Sequence, residues 1–133
     1  MKYDAKNVVI TITPKNTKHK KFNWTGFAPG TMVEFGQDSD DVQRFVDAQG
    51  NGDFAVQNDK SGHVNIHGSQ LTGSNKKIAA LRGEEFAIVV ETPEEKISAS
   101  NAMFTKMPDG SLGNDLTPRD WNMLCTDFKH EFK

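Results

Sequence analysis

The chain has 133 residues, a formal net charge of −2, 35% hydrophobic and 26% charged residues, and one cysteine, Cys125. That length without a Pro/Ser-rich linker gives the expectation of a single domain over residues 1–133, too rich in Phe and Val to be disordered but with a thin core. One cysteine excludes an intrachain disulfide and with it a disulfide-stapled secreted domain, and the near-balanced charge gives no global pull towards nucleic acid.

Met1 to Lys6 leads into the first strand-like run without the long apolar stretch of a signal peptide or membrane helix, so a cytosolic chain with no membrane insertion is expected. Val8 to Thr13 is β-branched at every position and stops at Pro14, the composition of a strand at least half buried. The basic stretch from Lys15 through Lys18 to Lys20 and Lys21 follows, then Phe22 to Phe27, where aromatics punctuate small polar residues; this reads as an exposed loop entering a packed turn. After Pro29-Gly30, Thr31 to Phe35 reads as a strand, and Gly36 to Asp41, with Asp38, Asp40 and Asp41, as an acidic connection.

Val42 to Ala48 and Phe54 to Gln57, joined by Gly50-Asn51-Gly52-Asp53, read as a hairpin with Phe45 and Val46 as apolar anchors at its base. His63 to His67 alternates strictly between polar and apolar, which gives one wet and one dry face. The helix signal spans Ser74 to Arg82, with Ser74 as cap, Ile78 and Leu81 on one face and Gly83 as terminator. Phe86 to Val90 is the most hydrophobic strand and Lys96 to Met107 alternates well enough to pair beside it. Thr117-Pro118 offers a short helical turn before Trp121 to Phe132 resumes strand-like alternation. Six to eight strands and one short helix predict a mainly β fold, a β-sandwich or partly open barrel.

No pattern of catalytic, cofactor-binding or metal-ligating residues stands out. His63 and His67 would lie about 13 Å apart on a strand, too far to share one ion. The acidic run lacks the spacing and closing Glu of an EF-hand, and Gly50-Asn51-Gly52 lacks the residues of a phosphate loop. Cys125 reads as a buried, inert thiol. The basic stretch precedes its aromatics instead of interleaving with them, which favours an assembly contact over a base-stacking platform.

In order and spacing these segments resemble the tail tube proteins of bacteriophages, of the contractile-tail type, whose fold is shared with the type VI secretion tube. The residues that carry the resemblance are Val8 to Thr13, Gly30 to Phe35, Asp53 to Ile66 with its Asp59-Lys60-Ser61-Gly62 turn, and Ser74 to Leu81. The resemblance implies a non-enzymatic structural subunit of the virion tail, assembled in the host cytoplasm. Six copies would close into rings, and rings would stack into a tube through which DNA passes without specific binding. Tail sheath, baseplate and tail terminator proteins would be its partners.

Exposed strand edges in a small subunit agree with ring closure, because a shared barrel removes them. A passage for DNA favours polar or acidic walls, for which Glu34, Asp47, Gln57 and Asn65 are the candidates. Lys15 to Lys21 and Asp38 to Asp41 offer opposite charges for stacking, and the hairpin with its Gly50 to Asp53 tip offers reach to a neighbour. Two other classes compete. A β-sandwich binding module for carbohydrate or host surface would use Trp24, Trp121 and Tyr3 as ligand-facing aromatics, and a small enzyme would need Cys125 paired with one of the four histidines.

Overall fold

Ten strands, one short α-helix and a 3-10 turn at Ala5–Asn7 make up the computed structural model, which describes residues 2–133. In chain order the strands are β1 (Val9–Pro14), β2 (Phe22–Asn23), β3 (Val33–Gln37), β4 (Val42–Val46), β5 (Gly52–Val56), β6 (Gly62–Gly68), β7 (Phe86–Glu91), β8 (Glu95–Phe104), β9 (Arg119–Cys125) and β10 (Phe128–Phe132), with α1 (Ser74–Ala79) between β6 and β7. Eight strands form one antiparallel sheet in the order β2-β1-β7-β8-β9-β6-β3, with β10 also against β8; β4 and β5 pair only with each other. The fold is mainly β as the alternation predicts, and the sheet does not close into a barrel.

Period-two patterning explains which face each strand buries. In β6 the small or apolar Gly62, Val64, Ile66 and Gly68 point inward while His63, Asn65 and His67 point away from the core. Ile10 and Ile12 of β1, Ile88 and Val90 of β7, Ile97 of β8 and Met123 of β9 complete the same inner face, each essentially without solvent exposure. Trp24, Ile78 and Leu81 cover that face from the chain between the strands. Two glycines make room for aromatics: a Cβ on Gly62 would lie 2.3 Å from the Phe128 ring, and one on Gly68 would lie 2.8 Å from Trp24.

Three local expectations are corrected. Thr117-Pro118 opens no helical turn; Arg119 donates to the Thr117 and Pro118 carbonyls and to the Thr117 hydroxyl, and the chain enters β9 directly. The Trp121 to Phe132 run breaks at Thr126-Asp127 into β9 and β10, which follow one another along β8: Cys125 faces Ala102 and Phe128 faces Ala99. The helix ends at Ala79, and Ser74 does not cap it. The Ser74 hydroxyl is buried and accepts from the Thr25 amide, while the Thr72 hydroxyl accepts from the Ser74 amide.

Candidate assembly surfaces

Side-chain packing removes the aromatic platform of a binding module. Trp24 and Trp121 are 4% and 1% exposed; Trp24 donates its indole N–H to the Gly26 carbonyl and Trp121 donates to Asn75 Oδ1 at 3.0 Å. Both are core residues, and only Tyr3 of the three lies open. Cys125 is buried, and burial, with a smaller contribution from the Asp38 charge, pushes its thiol up to about 11. It is therefore protonated and unreactive at neutral pH.

Each histidine faces carboxylates. His19 meets Glu84 at 2.9 Å, His63 meets Asp38 at 2.8 Å and His130 meets Glu95 at 3.2 Å. His67 lies between two, with Nδ1 at 2.6 Å from Asp120 and Nε2 at 2.8 Å from Glu34. His67 bridges β3, β6 and β9 on the outer face, and it donates to both carboxylates when the ring is doubly protonated. Burial pulls the His67 pKa down, but the bonds to Asp120 and Glu34 outweigh it and hold the group above its ordinary value. Among the described residues, no group of three or more metal-ligating side chains converges on one point, and no helix is long and apolar enough to cross a membrane.

The four candidates for a channel wall do not share a surface. Glu34 and Asn65 are register partners on the outward face of β3 and β6, and Asn65 in turn faces Asn122 of β9. Asn23, Thr11, Val89 and Ser98 form a second outward row, with Thr11 Oγ1 donating to Asn23 Oδ1, so this row adds polar side chains around one valine to a face that also carries Glu34. Asp47 and Gln57 belong instead to the hairpin. Asp47 accepts from the Asn51 amide and side chain and from the Gln49 amide, which holds its carboxyl below its ordinary range and fixes the tip. Gln57 donates its amide to the Asp41 carbonyl at the hairpin base.

That hairpin, β4–β5, gathers several exposed apolar side chains on one ribbon. Its register sets Val42 opposite Val56, Arg44 opposite Phe54 and Val46 opposite Gly52, so Val42, Val46, Phe54 and Val56 share one face. Phe54 and Val56 are 76% and 72% exposed. Phe45 and Val46 are not basal anchors, which corrects the sequence reading: they pair with Asp53 and Gly52 beside the Gly50-Asn51 turn and are themselves more than half exposed. The apolar pair at the base is Val42 and Val56.

The two charged loops lie at opposite borders of the sheet. Lys15 to Lys21 joins β1 to β2 at one border, and Asp38 to Asp41 leaves β3 at the other. Five antiparallel steps separate β1 from β3, so the loops also leave with opposite strand sense. The basic loop is pinned by Lys15 Nζ donating to Asn101 and by Asn16 and His19 on Glu84, which leaves Lys18, Lys20 and Lys21 exposed. The acidic loop is held by Gln37 Nε2 donating to the Ser39 carbonyl and to Asp41, and by the Ser39 hydroxyl on Asp59.

No family model and no curated protein matches the chain. Among solved structures, it superposes on a chain of the anti-feeding prophage (AFP) baseplate with a TM-score of 0.62 and 11% identity, over 98% of this chain and 96% of that one. It matches the AFP tube-terminating cap at a TM-score of 0.60 and 10% identity, over 100% and 94%. A chain of the PVC extracellular contractile injection system, its sheath/tube terminator in the extended state, gives 0.60 and 12% over 98% and 97%. Identities this low establish the fold alone. The chain shares the fold of these contractile injection system chains, in keeping with its resemblance to tail tube proteins.

Proposed function

We propose that this protein is a structural subunit of a contractile, phage-tail-like particle, and that its work is to bind copies of itself instead of transforming a substrate. The observation that carries the reading is the β4–β5 hairpin, whose two strands pair only with each other among the described residues and whose apolar face is exposed. Four exposed aliphatic and aromatic side chains on one two-stranded ribbon are costly in an isolated chain and useful against a neighbour. The fold shared with cap, terminator and baseplate chains of contractile injection systems supports the same class of role.

In its specific form, the single 133-residue domain closes into six-membered rings that stack into a tube, with the Gly50 to Asp53 tip reaching the adjacent subunit. The polar outward face with Glu34 and Asn65 supplies the channel wall, which lets DNA pass without holding it. Sheath, baseplate and terminator proteins are the further partners, and the particle, assembled in the host cytoplasm, is the place of action. Negative-stain electron microscopy of the purified protein across a concentration series tests this. Hollow tubes are expected; rings that never stack would indicate a terminator-like role, and monomers at every concentration would overturn the self-assembly reading. Deleting Gly50 to Asp53 should abolish the tubes, and tubes that persist would remove the tip from the interface.

A further inference from the structure

The strongest unassigned feature is a cleft of about 540 Å³ between the basic loop and α1. Lys18, Lys20 and Lys21 line it from the loop and Lys76 and Lys77 from the helix, over a floor that includes Phe22 and Leu81. Among the described residues none of these five lysines has a carboxylate within ion-pair distance, although Lys77 lies 5.7 Å from the centre of the Phe22 ring. Nearby Glu84 is engaged with Asn16 and His19. Five convergent ammonium groups with no counter-charge repel one another, and an anion entering the cleft relieves that repulsion.

We infer that this cleft receives the Asp38 to Asp41 segment of a second copy of the chain. The inference rests on the self-assembly reading for its choice of occupant. Complementarity of charge is one ground: the segment carries three exposed carboxylates, and Asp40 has no partner among the described residues. Order is another, since Gln37, Asp59 and His63 already fix the loop, so little freedom is lost when it docks. Within one copy the acidic loop is tied to its own neighbours, Asp38 to His63 and Asp41 to Lys60, and among the described residues no ion pair joins it to the cleft. A contact between two different patches of one chain leaves each copy with a free cleft and a free loop for further copies when it repeats head to tail, the geometry that stacking requires.

The test is zero-length carbodiimide cross-linking of the full chain at low salt, using a mixture of isotope-labelled and unlabelled protein so that mass spectrometry separates links between copies from links within one. Links from Lys76 or Lys77 of one copy to Asp40 or Asp41 of another are expected whether or not tubes are visible. The K76E/K77E variant should lower the mixed links from Lys18, Lys20 and Lys21, and the extent of self-association, about tenfold, the scale of two exposed ion pairs lost with their charge reversed. Adding D40K/D41K in the same chain should restore association. Three results would overturn the inference: no mixed-isotope link from this cleft in the unmodified protein, unchanged association of K76E/K77E, or a short duplex DNA that binds the cleft while the acidic loop stays unlinked. Tubes that form normally in K76E/K77E would sink this contact and leave the proposed function standing. Monomers of the parent at every concentration, with no mixed-isotope link, would overturn the self-assembly reading and this contact with it.

Discussion

Replacing Phe54 with Ser separates what the hairpin does for its own subunit from what it does for a neighbour. A fully buried Phe side chain is worth roughly 1.5–3 kcal/mol over an exposed one. Phe54 is 76% exposed, so about three quarters of that, roughly 1–2 kcal/mol, is still available to a partner. At 1.4 kcal/mol per factor of ten, F54S should raise the protein concentration needed for half-maximal assembly by about 5- to 30-fold. Its effect on the isolated subunit should be within about 0.5 kcal/mol, because three quarters of that side chain is open to solvent in the subunit. Sedimentation velocity across a dilution series gives the first quantity, and urea unfolding of dilute protein gives the second. A variant that assembles like the parent, or one that loses more than about 1 kcal/mol as a monomer, would refute the reasoning; the latter would mean the hairpin folds back on its own sheet.

Gly62→Ala puts a methyl group 2.3 Å from the buried Phe128 ring, and a cost of about 1–3 kcal/mol should appear as a lower urea midpoint at unchanged slope. The His67 bridge is pH-dependent with a definite sign. Its pKa is raised in the folded chain, so its stabilisation is complete below the unfolded value of about 6.5 and fades as pH rises through the folded one. Stability measured from pH 6 upward should therefore fall more for the parent than for H67N, and parallel profiles would remove the bridge from the account. Asp47→Ala should speed amide exchange at Gln49 and Asn51, whose N–H groups it accepts, and leave exchange in β7 and β8 unchanged.

β6 is readable in advance because strict alternation leaves one face to be buried, β1 because it is β-branched throughout and β7 because it is a continuous apolar run; Val64 and Ile66, Ile10 and Ile12, and Ile88 and Val90 fill the core. Alternation does not reveal what covers a strand. Trp24 and Trp121 look the same in the sequence whether they face a ligand or the core, and only the placement of α1, with Asn75 reaching the Trp121 indole, decides it. Phe45 and Val46 were misplaced because apolar residues in a hairpin suggest a packed base, whereas parity across the turn assigns the shared apolar face to Val42, Val46, Phe54 and Val56. Those last two already face one way in the sequence, so the signal was present and needed only the register. Lys76 and Lys77 gave no signal at all; more than fifty residues lie between them and the basic loop, and their convergence exists only in the fold.

The pairing of β1 with β7 has a consequence for how the chain is made. Val9 meets Glu91 and Pro14 meets Phe86, so the first strand of the sheet finds its main partner some seventy to eighty residues later. β7 and β8, by contrast, are joined by only three residues and can pair locally. During synthesis the N-terminal strand emerges first and has to wait, while the β7–β8 ribbon zips as soon as it is exposed, and closure of the long loop back to β1 follows at an entropic cost. The lysine-rich segment hangs from β1, so the cleft it shapes is among the last features to form. A nascent or half-folded chain then lacks one half of the contact between copies, and pulse-labelled exchange should show β1 amides protected after those of β8.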